Sequence, residues 1–385
     1  MVSRPRWGVP RSNGWFVVTS GWVRRIGSDV SGSRLRAAAI FFASLLAAGL
    51  AAQAHAALLQ EQRSPACTSV ISPGGGLQRF VDRLRPGSVG CLAPGKYAAR
   101  KLVLRVSGTA AARITLTSLN PSRPAEVSGL LWLMDSANNW TISHLRLNGR
   151  NSRNLPSPQV NGDDSVWLDD DVTNYQAAGP SLGAGICFAL GNIDTWGYAA
   201  NTTIAQSRIH DCGISDNANH GIYVAATTGS TIIRNNWIFR NGDRGIQLYP
   251  DAKHVLITNN VIDANGSGVI FSGLGSRTSS DITVTRNIIS NSRNRWNVES
   301  WYPDGTPPGS GNLVAANCLW ASGANHVYRV NGGLGPPVGF TVAATNVIQK
   351  PIFRAESLGD LRLRSDSGCK GFGPIQGRLP LGSHG

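Results

Sequence analysis

Apolar and polar positions follow one repeating pattern from residue 138 onward. Each copy has an apolar position, four intervening residues and a second apolar position, usually with Asn two places before the second. The clearest copies span 233–238, 257–262, 284–289 and 314–319, with asparagines at 236, 260, 287 and 317. Looser copies span 142–147, 167–172 and 204–209, and Asn346-Val347-Ile348 closes the series. A unit of about 24 to 37 residues that returns in the same form predicts a solenoid.

The residues inside the copies favour strands over helices. Val, Ile, Thr and Asn dominate, with Gly between them and no ten-residue stretch of helical period. An Asn between two apolar contacts suits a sharp corner, because Asn tolerates left-handed backbone. Asparagines stacked coil upon coil about 4.8 Å apart can exchange side-chain hydrogen bonds. The pattern predicts an all-β, right-handed parallel β-helix of about ten coils. The alternative, a β-sandwich, calls for hairpin signals that are mostly missing.

The first 56 residues have the features of a leader. Seven Arg and one Asp lie in residues 1–36, followed by an apolar run over 37–50 and the small-residue site Ala54-His55-Ala56. We interpret residues 1–56 as a leader with a signal peptide cleaved after Ala56, which predicts a secreted protein with no membrane segment after cleavage. The alternative is a transmembrane anchor over 37–59. The role of residues 1–30 stays open.

The remaining chain is predicted to form one β-helix domain over residues 57–373. Residues 65–137 would hold the N-terminal cap and first coils, with a short capping helix within 72–88, because a terminal coil otherwise exposes its core. Residues 138–350 would form the repeat coils, and residues 374–385 a C-terminal tail.

Six cysteines lie in the part that would be exported, and their spacings match no zinc motif. An even number in an exported chain predicts disulfides. Closeness along the chain favours the pairs 67–91, 187–212 and 318–369. Free buried thiols are the alternative.

Three segments carry a resemblance to a known family. HGIYV (220–224), RGIQLY (244–249) and LRLRSDSGCKGFG (361–373) resemble exported bacterial right-handed β-helix proteins of the pectate-lyase-like superfold. The resemblance covers roughly residues 65–373. It implies the same fold, with a polysaccharide bound on one outer sheet. It does not choose a reaction, because this architecture hosts lyases, hydrolases, epimerases and non-enzymatic binders.

A second set of segments predicts the sheet that would bind the polysaccharide. The segments 185–187, 221–223, 245–247, 268–270 and 297–299 are expected to align. If the middle residue of each points into the core, alternation places the next residue outside. The predicted substrate-binding residues on or near this face are Tyr223, Gln247, Trp301 and Tyr302. Their rings would stack on the apolar faces of sugars.

His220 and Arg244 precede equivalent glycines of adjacent coils, so they are expected about 4.8 Å apart. Together they suit β-elimination of a uronate polymer, with Arg244 neutralising the carboxylate and His220 removing the proton at C5. Tyr249 would protonate the leaving oxygen. Simple structural roles remain open, with His220 bonded to a loop and Arg244 paired with Asp243 or Asp216.

Hydrolysis is the rival reaction, and it usually needs two carboxylates about 5–10 Å apart. Glu299 is the predicted catalytic carboxylate, and a partner would come from a loop, such as Asp304, Asp251 or Asp163-Asp164. The clusters at 163–164 and 169–171 also suit turns. Calcium binding by them is possible on this chemistry, but the spacing assigns no metal and no cofactor.

Composition narrows the remaining classes. With 41% apolar and 15% charged residues, Gly 45 and Pro 20, the chain is neither charged and disordered, nor a coiled coil, nor collagen. The net charge of +14 falls partly in the leader, and the basic residues form no stripe, so no nucleic-acid partner is predicted. The positive surplus suits an acidic polysaccharide. We expect a monomeric lyase, with a hydrolase and then a non-catalytic glycan-binding protein as alternatives.

Overall fold

The computed structural model describes residues 66–176, 185–192, 196–214, 218–322 and 326–375. Residues Pro65–Gly385 form one compact unit, and the described part is a right-handed parallel β-helix of about nine turns. The predicted leader and its cleavage site, and most of the predicted tail, lie outside the described residues. Within the described residues, no helix is long and apolar enough to cross a membrane.

The helix α1 spans Leu77–Arg83, and short 3-10 helices span His326–Gly332 and Glu356–Leu358. The strands are β1 Ser69–Ile71, β2 Val89–Leu92, β3 Lys96–Leu104, β4 Ile114–Ser118, β5 Glu126–Leu133, β6 Trp140–Ser143, β7 Arg146–Asn148, β8 Gln159–Val160, β9 Val166–Leu168, β10 Asp171–Asn174, β11 Phe188–Leu190, β12 Ala199–Ala200, β13 Thr203–Ala205, β14 Arg208–Cys212, β15 Ile222–Thr228, β16 Thr231–Arg234, β17 Trp237–Phe239, β18 Arg244–Asp251, β19 Val255–Thr258, β20 Val261–Asp263, β21 Ser267–Leu274, β22 Arg277–Thr278, β23 Thr283–Thr285, β24 Ile288–Ser290, β25 Val298–Trp301, β26 Leu313–Ala315, β27 Cys318–Trp320, β28 Thr341–Val342, β29 Val347–Ile348, β30 Phe353–Ala355 and β31 Asp360–Leu363.

The strands form three walls. Wall A holds the strand before each Asn corner: β1, β2, β4, β6, β9, β13, β16, β19, β23, β26 and β28. Wall B holds the strand after that corner: β7, β10, β14, β17, β20, β24, β27 and β29. Wall C closes each turn with β8, β11, β15, β18, β21 and β25, and the C-terminal halves of β3 and β5 extend it.

The observed register confirms the repeat read from the sequence. The eight second positions of the copies pair in order along wall B, and the first positions pair along wall A. The wall B positions are Leu147, Val172, Ile209, Ile238, Ile262, Ile289, Leu319 and Ile348. All but the last are buried in the core. Side chains of a strand alternate between its two faces, so a shift of one residue would turn the buried side chains outward. This fixes the observed register.

The predicted asparagine ladder is present at the corner between walls A and B. Asn236, Asn260, Asn287, Asn317 and Asn346 each donate from Nδ2 to Oδ1 of the next, at 2.9–3.0 Å, up to the last. Each also donates to a wall A carbonyl of the preceding turn. The side-chain amides of this buried corner thus have hydrogen-bond partners without water.

The ladder asparagines do not adopt the left-handed backbone that the sequence analysis expected of them. The preceding residue takes the positive φ instead: Asn235, Asn259, Arg286 and Ala316 have φ of 51–57°. The physical reason is the direction of the asparagine side chain. The left-handed residue turns the chain, and the side-chain amide of the following asparagine then points into the ladder.

Both ends of the coil stack are covered. In α1, Leu77 and Val81 pack into the main core, and Gln78 exchanges hydrogen bonds with the Val103 backbone. This confirms the short N-terminal capping helix. At the other end, Phe340 stacks on Phe271 with ring centroids 5.0 Å apart.

All three predicted disulfides are formed: Cys67–Cys91, Cys187–Cys212 and Cys318–Cys369. The third fastens a C-terminal segment, residues 351–375, to the outside of wall B. There a second apolar cluster joins outward residues of the wall to residues of the segment. Its members are Trp237, Phe239, Val261, Ile288, Cys318, Phe353, Leu361 and Cys369.

Candidate functional site

The candidate site lies where the chain enters wall C. Ile222, Ile246, Val269 and Val298 pair across adjacent strands, and all four are fully buried. Tyr223 therefore pairs with Gln247, and Ile270 with Glu299, on the outer side of the same wall. The predicted alignment of these four segments is confirmed.

The fifth segment, 185–187, was aligned wrongly. Phe188, not Ile186, pairs with Ile222. Asn174 Nδ2 donates to the Ile186 carbonyl at 2.7 Å, and Cys187 is bonded to Cys212. These contacts hold Ile186 and Cys187 in the corner, so the strand begins two residues later.

Two carboxylates and two guanidinium groups meet just before the strands of this wall. Asp243 contacts Arg244 through Oδ2, and its Oδ1 lies 2.9 Å from a terminal nitrogen of Arg295. Glu299 Oε1 lies 3.2 Å from Arg295 Nε and accepts a hydrogen bond from Ser267 Oγ at 2.7 Å. Arg295 thus bridges both carboxylates, and we call these residues the charged cluster.

Exposure differs sharply within the charged cluster. The Arg295 side chain is 35% exposed, whereas those of Arg244, Glu299 and Asp243 are 12%, 10% and 2% exposed. Burial raises the pKa of Asp243 to about 6, although Arg244 and Arg295 oppose the shift. Arg295 is therefore the most accessible charge of the cluster, and Arg244 is about as buried as Glu299.

His220 lies against this cluster, beside Arg244 as predicted: the Gly221 amide donates to the Arg244 carbonyl at 2.9 Å. Its Nδ1 is 3.5 Å from Asp243 Oδ2, and its side chain is 4% exposed. Burial lowers the pKa of His220 well below its usual value, and Arg244 and Arg295 lower it further. The imidazole is therefore neutral near pH 7 and can accept a proton.

A row of aromatic rings leads away from His220 across the outer face of wall C. The ring centroids are 5.7 Å apart for His220 and Tyr223, 6.5 Å for Tyr223 and Tyr249, and 6.0 Å for Tyr249 and Trp301. Trp301 is 52% exposed. We call these rings the aromatic row; they offer apolar faces to a ligand laid along the wall.

The structure brings together most of the predicted site residues. His220, Arg244, Gln247 and Glu299 lie in or beside the charged cluster, and Tyr223, Tyr249 and Trp301 form the aromatic row. Tyr302 is placed differently: its ring lies close to Gly339, beyond the end of the row. Tyr223 stands between His220 and Tyr249, so Tyr223 is the phenol closer to the imidazole.

Two members of the cluster were missed. Asp243 was considered only as a structural partner of Arg244, and Arg295 was not considered. The sequence did hold a signal that Arg295 belongs to the site. It lies four residues before Glu299, in a turn that the strand alignment places beside the site. Asp243 directly precedes Arg244 in the corner before β18. Strand alternation predicts no side-chain direction in a corner, so it did not indicate Asp243.

Three of the other carboxylate groups considered above have turn or ladder positions. Asp164 and Asp169 have φ of 54° and 56°, as the turn interpretation predicts. Asp170 is fully buried and accepts a hydrogen bond from the Leu145 amide at 2.9 Å. Within the described ranges, no group of three or more His, Cys, Asp or Glu could hold a metal ion.

Comparison with known proteins agrees with the architecture. A family model described as a right handed beta helix region matches residues 180–329. An alginate lyase from Paenibacillus sp. str. FPU-7 aligns at 17% identity and a TM-score of 0.49, covering 73% of this chain and all of that one. The pectate lyase Pel9A aligns at 13% identity and 0.45, covering 77% of this chain and 80% of its own.

A lacto-N-biosidase from Eubacterium ramulus aligns at 13% identity and a TM-score of 0.37, covering 67% of this chain and 56% of its own. No curated protein matches the chain by sequence. The family model supports the observed β-helix, and the reaction has to be argued from the site.

Proposed function

We propose that this protein is an exported polysaccharide lyase that cleaves an acidic, uronate-containing glycan by β-elimination. The observation that carries the proposal is the partly accessible Arg295 and the more buried Arg244, held beside a neutral buried histidine at the head of the aromatic row. The cations suit the carboxylates of the glycan and the rings suit its sugar faces. Three disulfides and the candidate signal peptide support export.

Arg244 and Arg295 would bind the carboxylate of the reacting sugar. Neutralising that charge makes the C5 proton easier to remove, because the carbanion develops next to the carboxylate. Asp243 and Glu299 hold the two guanidinium groups in place and are positioning residues in this scheme. The arginines need no reorganisation at the moment of reaction.

His220 would accept the C5 proton as the C4–C5 double bond forms and the C4–O bond breaks. The leaving oxygen takes a proton from a phenol. The sequence predicts this role for Tyr249, but Tyr223 lies closer to His220, so we assign the proton donor to Tyr223 and stacking to Tyr249. Because the His220 side chain is 4% exposed, the Gln247 side chain beside it must move for substrate to reach the imidazole.

Glycoside hydrolysis is the second candidate, and one observation favours it. Asp243 and Glu299 both contact Arg295, so the two carboxyl groups lie less than about 10 Å apart, as hydrolysis by a pair of carboxylates requires. The pKa of Asp243 near 6 would suit a general acid. Elimination is the better fit because both carboxylates are largely buried and occupied by arginines.

The products decide between these reactions. The protein is incubated with polygalacturonate, alginate and a neutral glucan, and both ultraviolet absorbance and reducing ends are measured. Elimination gives both signals on an acidic glycan, because the new double bond is conjugated to the carboxylate. Reducing ends without absorbance would establish hydrolysis. If neither appears while Trp301→Ala weakens retention on an immobilised acidic glycan, the protein is a glycan-binding protein.

Variants test the assigned roles. His220→Gln is expected to lower kcat about 10²-fold or more. Tyr223→Phe is expected to lower kcat by a similar factor, whereas Tyr249→Phe, which keeps the stacking ring, should leave both kcat and KM nearly unchanged. Circular dichroism and urea unfolding check that each variant folds. If Tyr249→Phe loses kcat and Tyr223→Phe does not, the proton donor is the residue first predicted.

A further inference from the structure

A second group of aromatic and cationic side chains lies on the same outer wall, toward the N-terminal end. Trp132 on β5 and Trp196 in the loop before β12 have ring centroids 5.0 Å apart. Lys101 on β3 lies over Trp132 with Nζ 4.4 Å from the ring centroid. With Arg153, these residues line a small cavity of 80 Å³. We call this site the tryptophan cleft.

The charges in the tryptophan cleft are of one sign. Lys101 and Arg153 enter no ion pair with any carboxylate of the described residues. Burial lowers the pKa of Lys101, and the positive charge of Arg153 lowers it further. Two neighbouring cations that repel each other across a partly apolar cavity are stabilised by an anion placed between them.

The lining of the cavity indicates which part of a ligand it would hold. Lys101 and Arg153 lie beside the tryptophan rings and Leu155, so the cations suit a sugar carboxylate and the apolar surfaces suit a sugar ring. The Trp132 Nε1 hydrogen is already donated to Asn161 at 3.0 Å, which leaves the indole rings as apolar surfaces for a sugar face.

The strand register relates the tryptophan cleft to the candidate active site. Trp132 pairs with Gln159, Gln159 with Ala189, and Ala189 with Tyr223. Three strand steps correspond to roughly 14 Å along the axis of the β-helix. An extended pyranose chain advances by about one strand spacing per ring, so the tryptophan cleft lies about three sugars from Tyr223.

We propose that the tryptophan cleft is a distal subsite for a uronate residue of the same polysaccharide, with the carboxylate between Lys101 and Arg153 and the sugar ring against the tryptophans. This inference rests on the proposed function for the identity of the glycan. It adds that the protein prefers acidic chains long enough to reach both sites, and that this preference comes from residues outside the charged cluster.

The test compares oligomers of different length. Kinetics are measured with galacturonate or mannuronate trimers and hexamers, whichever polymer is cleaved. KM for the hexamer is expected to be about tenfold lower than for the trimer. Lys101→Gln and Trp196→Ala should each remove most of this advantage and leave trimer kinetics unchanged. Lys96→Gln is the matched control, because Lys96 lies on the same strand with its side chain 82% exposed.

Direct binding separates this inference from the proposed reaction. Titration calorimetry with the same hexamers, and with neutral cellohexaose, is performed on the Tyr223→Phe variant. Weaker binding of the acidic hexamer to the Lys101→Gln form, with cellohexaose bound poorly by both, supports the subsite even if no cleavage is found. Cleavage with no advantage for the hexamer, or equal behaviour of Lys101→Gln and Lys96→Gln, would overturn the subsite while leaving the lyase proposal intact.

Discussion

Asp170 differs from a ladder asparagine by one side-chain atom, and this atom determines how the buried position responds to pH. Asp170 continues the asparagine ladder two turns beyond Asn236: the Ser207 amide donates to Asn236 Oδ1, the Asp170 amide donates to Ser207 Oγ, and the Leu145 amide donates to Asp170 Oδ1. Its Oδ2 is buried with no hydrogen-bond partner in the described structure, where a ladder asparagine has a donor nitrogen. Burial raises the pKa of Asp170 well above its usual value, so the carboxyl favours its neutral form.

Asp170→Asn is therefore expected to stabilise the protein at pH 8. A carboxyl whose pKa is raised on folding stabilises the native state below about pH 4, and this contribution is lost as pH rises. The amide has no such loss, so the unfolding free energy at pH 8 should increase by about 1–3 kcal/mol, with a smaller gain at pH 4. Urea unfolding at both pH values measures this. Asp169→Asn, next to it at a turn, is the control and should change little.

Ala316 occupies a left-handed position that suits Gly better. Its φ is 51°, which costs an L-residue roughly 1–2 kcal/mol. Ala316→Gly should raise the unfolding free energy by about 1 kcal/mol in thermal or urea unfolding. Ala315→Gly, one residue earlier in β26, should lower it by about 0.5–1 kcal/mol. Equal effects at the two positions would contradict the assigned backbone strain.

At the scale of elements, the ladder joins the strands of successive turns at the corner between walls A and B. Each interior asparagine serves three turns at once, because it accepts from one ladder neighbour, donates to the other and donates to a wall A carbonyl. Such a network loses several bonds when a single member is removed.

Asn287→Ala should therefore destabilise the protein by about 3–5 kcal/mol. In a buried corner, the substitution removes the acceptor of the Asn260 backbone amide, one of two acceptors of the Asn260 side-chain amide, and a donor to the Ile257 carbonyl. Asn346→Ala at the end of the ladder is the comparison and should cost only about 1–2 kcal/mol, since Asn346 accepts from Asn317 but has no further ladder neighbour to donate to. Urea unfolding compares the two, and similar losses would argue against a cooperative ladder.

The sequence predicted elements well where one residue type repeats in one environment. Walls A and B, the ladder and the four-strand alignment at the site all follow from the spacing of apolar residues and asparagines. The segment 185–187 was misaligned because a disulfide and the Asn174 side chain hold the corner. Neither contact recurs from turn to turn, so the repeat does not reveal it. Arg295 was missed for a similar reason: it reaches the site from a turn between strands, where no alternation predicts a direction.

At the scale of the whole molecule, the C-terminal segment is fastened to wall B by more than its disulfide. Glu356 of the segment lies beside Asp263 of β20, whose Oδ1 accepts hydrogen bonds from Ser290 and Asn291. Burial and the charge of Glu356 raise the pKa of Asp263 to about 7. The carboxyl groups of Asp263 and Glu356 can lie side by side without charge repulsion when one of them is protonated.

The stability of the protein should consequently fall as pH rises from about 4 to above 7, the interval between the unfolded and folded pKa of Asp263. Asp263→Asn should remove about 2 kcal/mol of this decline, because an amide retains the bonds from Ser290 and Asn291 without acquiring charge. Urea unfolding across this pH range measures it. Asp366→Asn, on an exposed ion pair with Arg364, should leave the slope unchanged.

The second apolar cluster has a consequence for truncated chains. Trp237, Phe239, Val261 and Ile288 face outward from coils that precede residues 351–375 in the chain. A chain without that segment would carry an uncovered apolar stripe along the solenoid. Chains that stop early would keep the stripe and could join through it, so premature termination near residue 350 should yield aggregates rather than a shorter working protein.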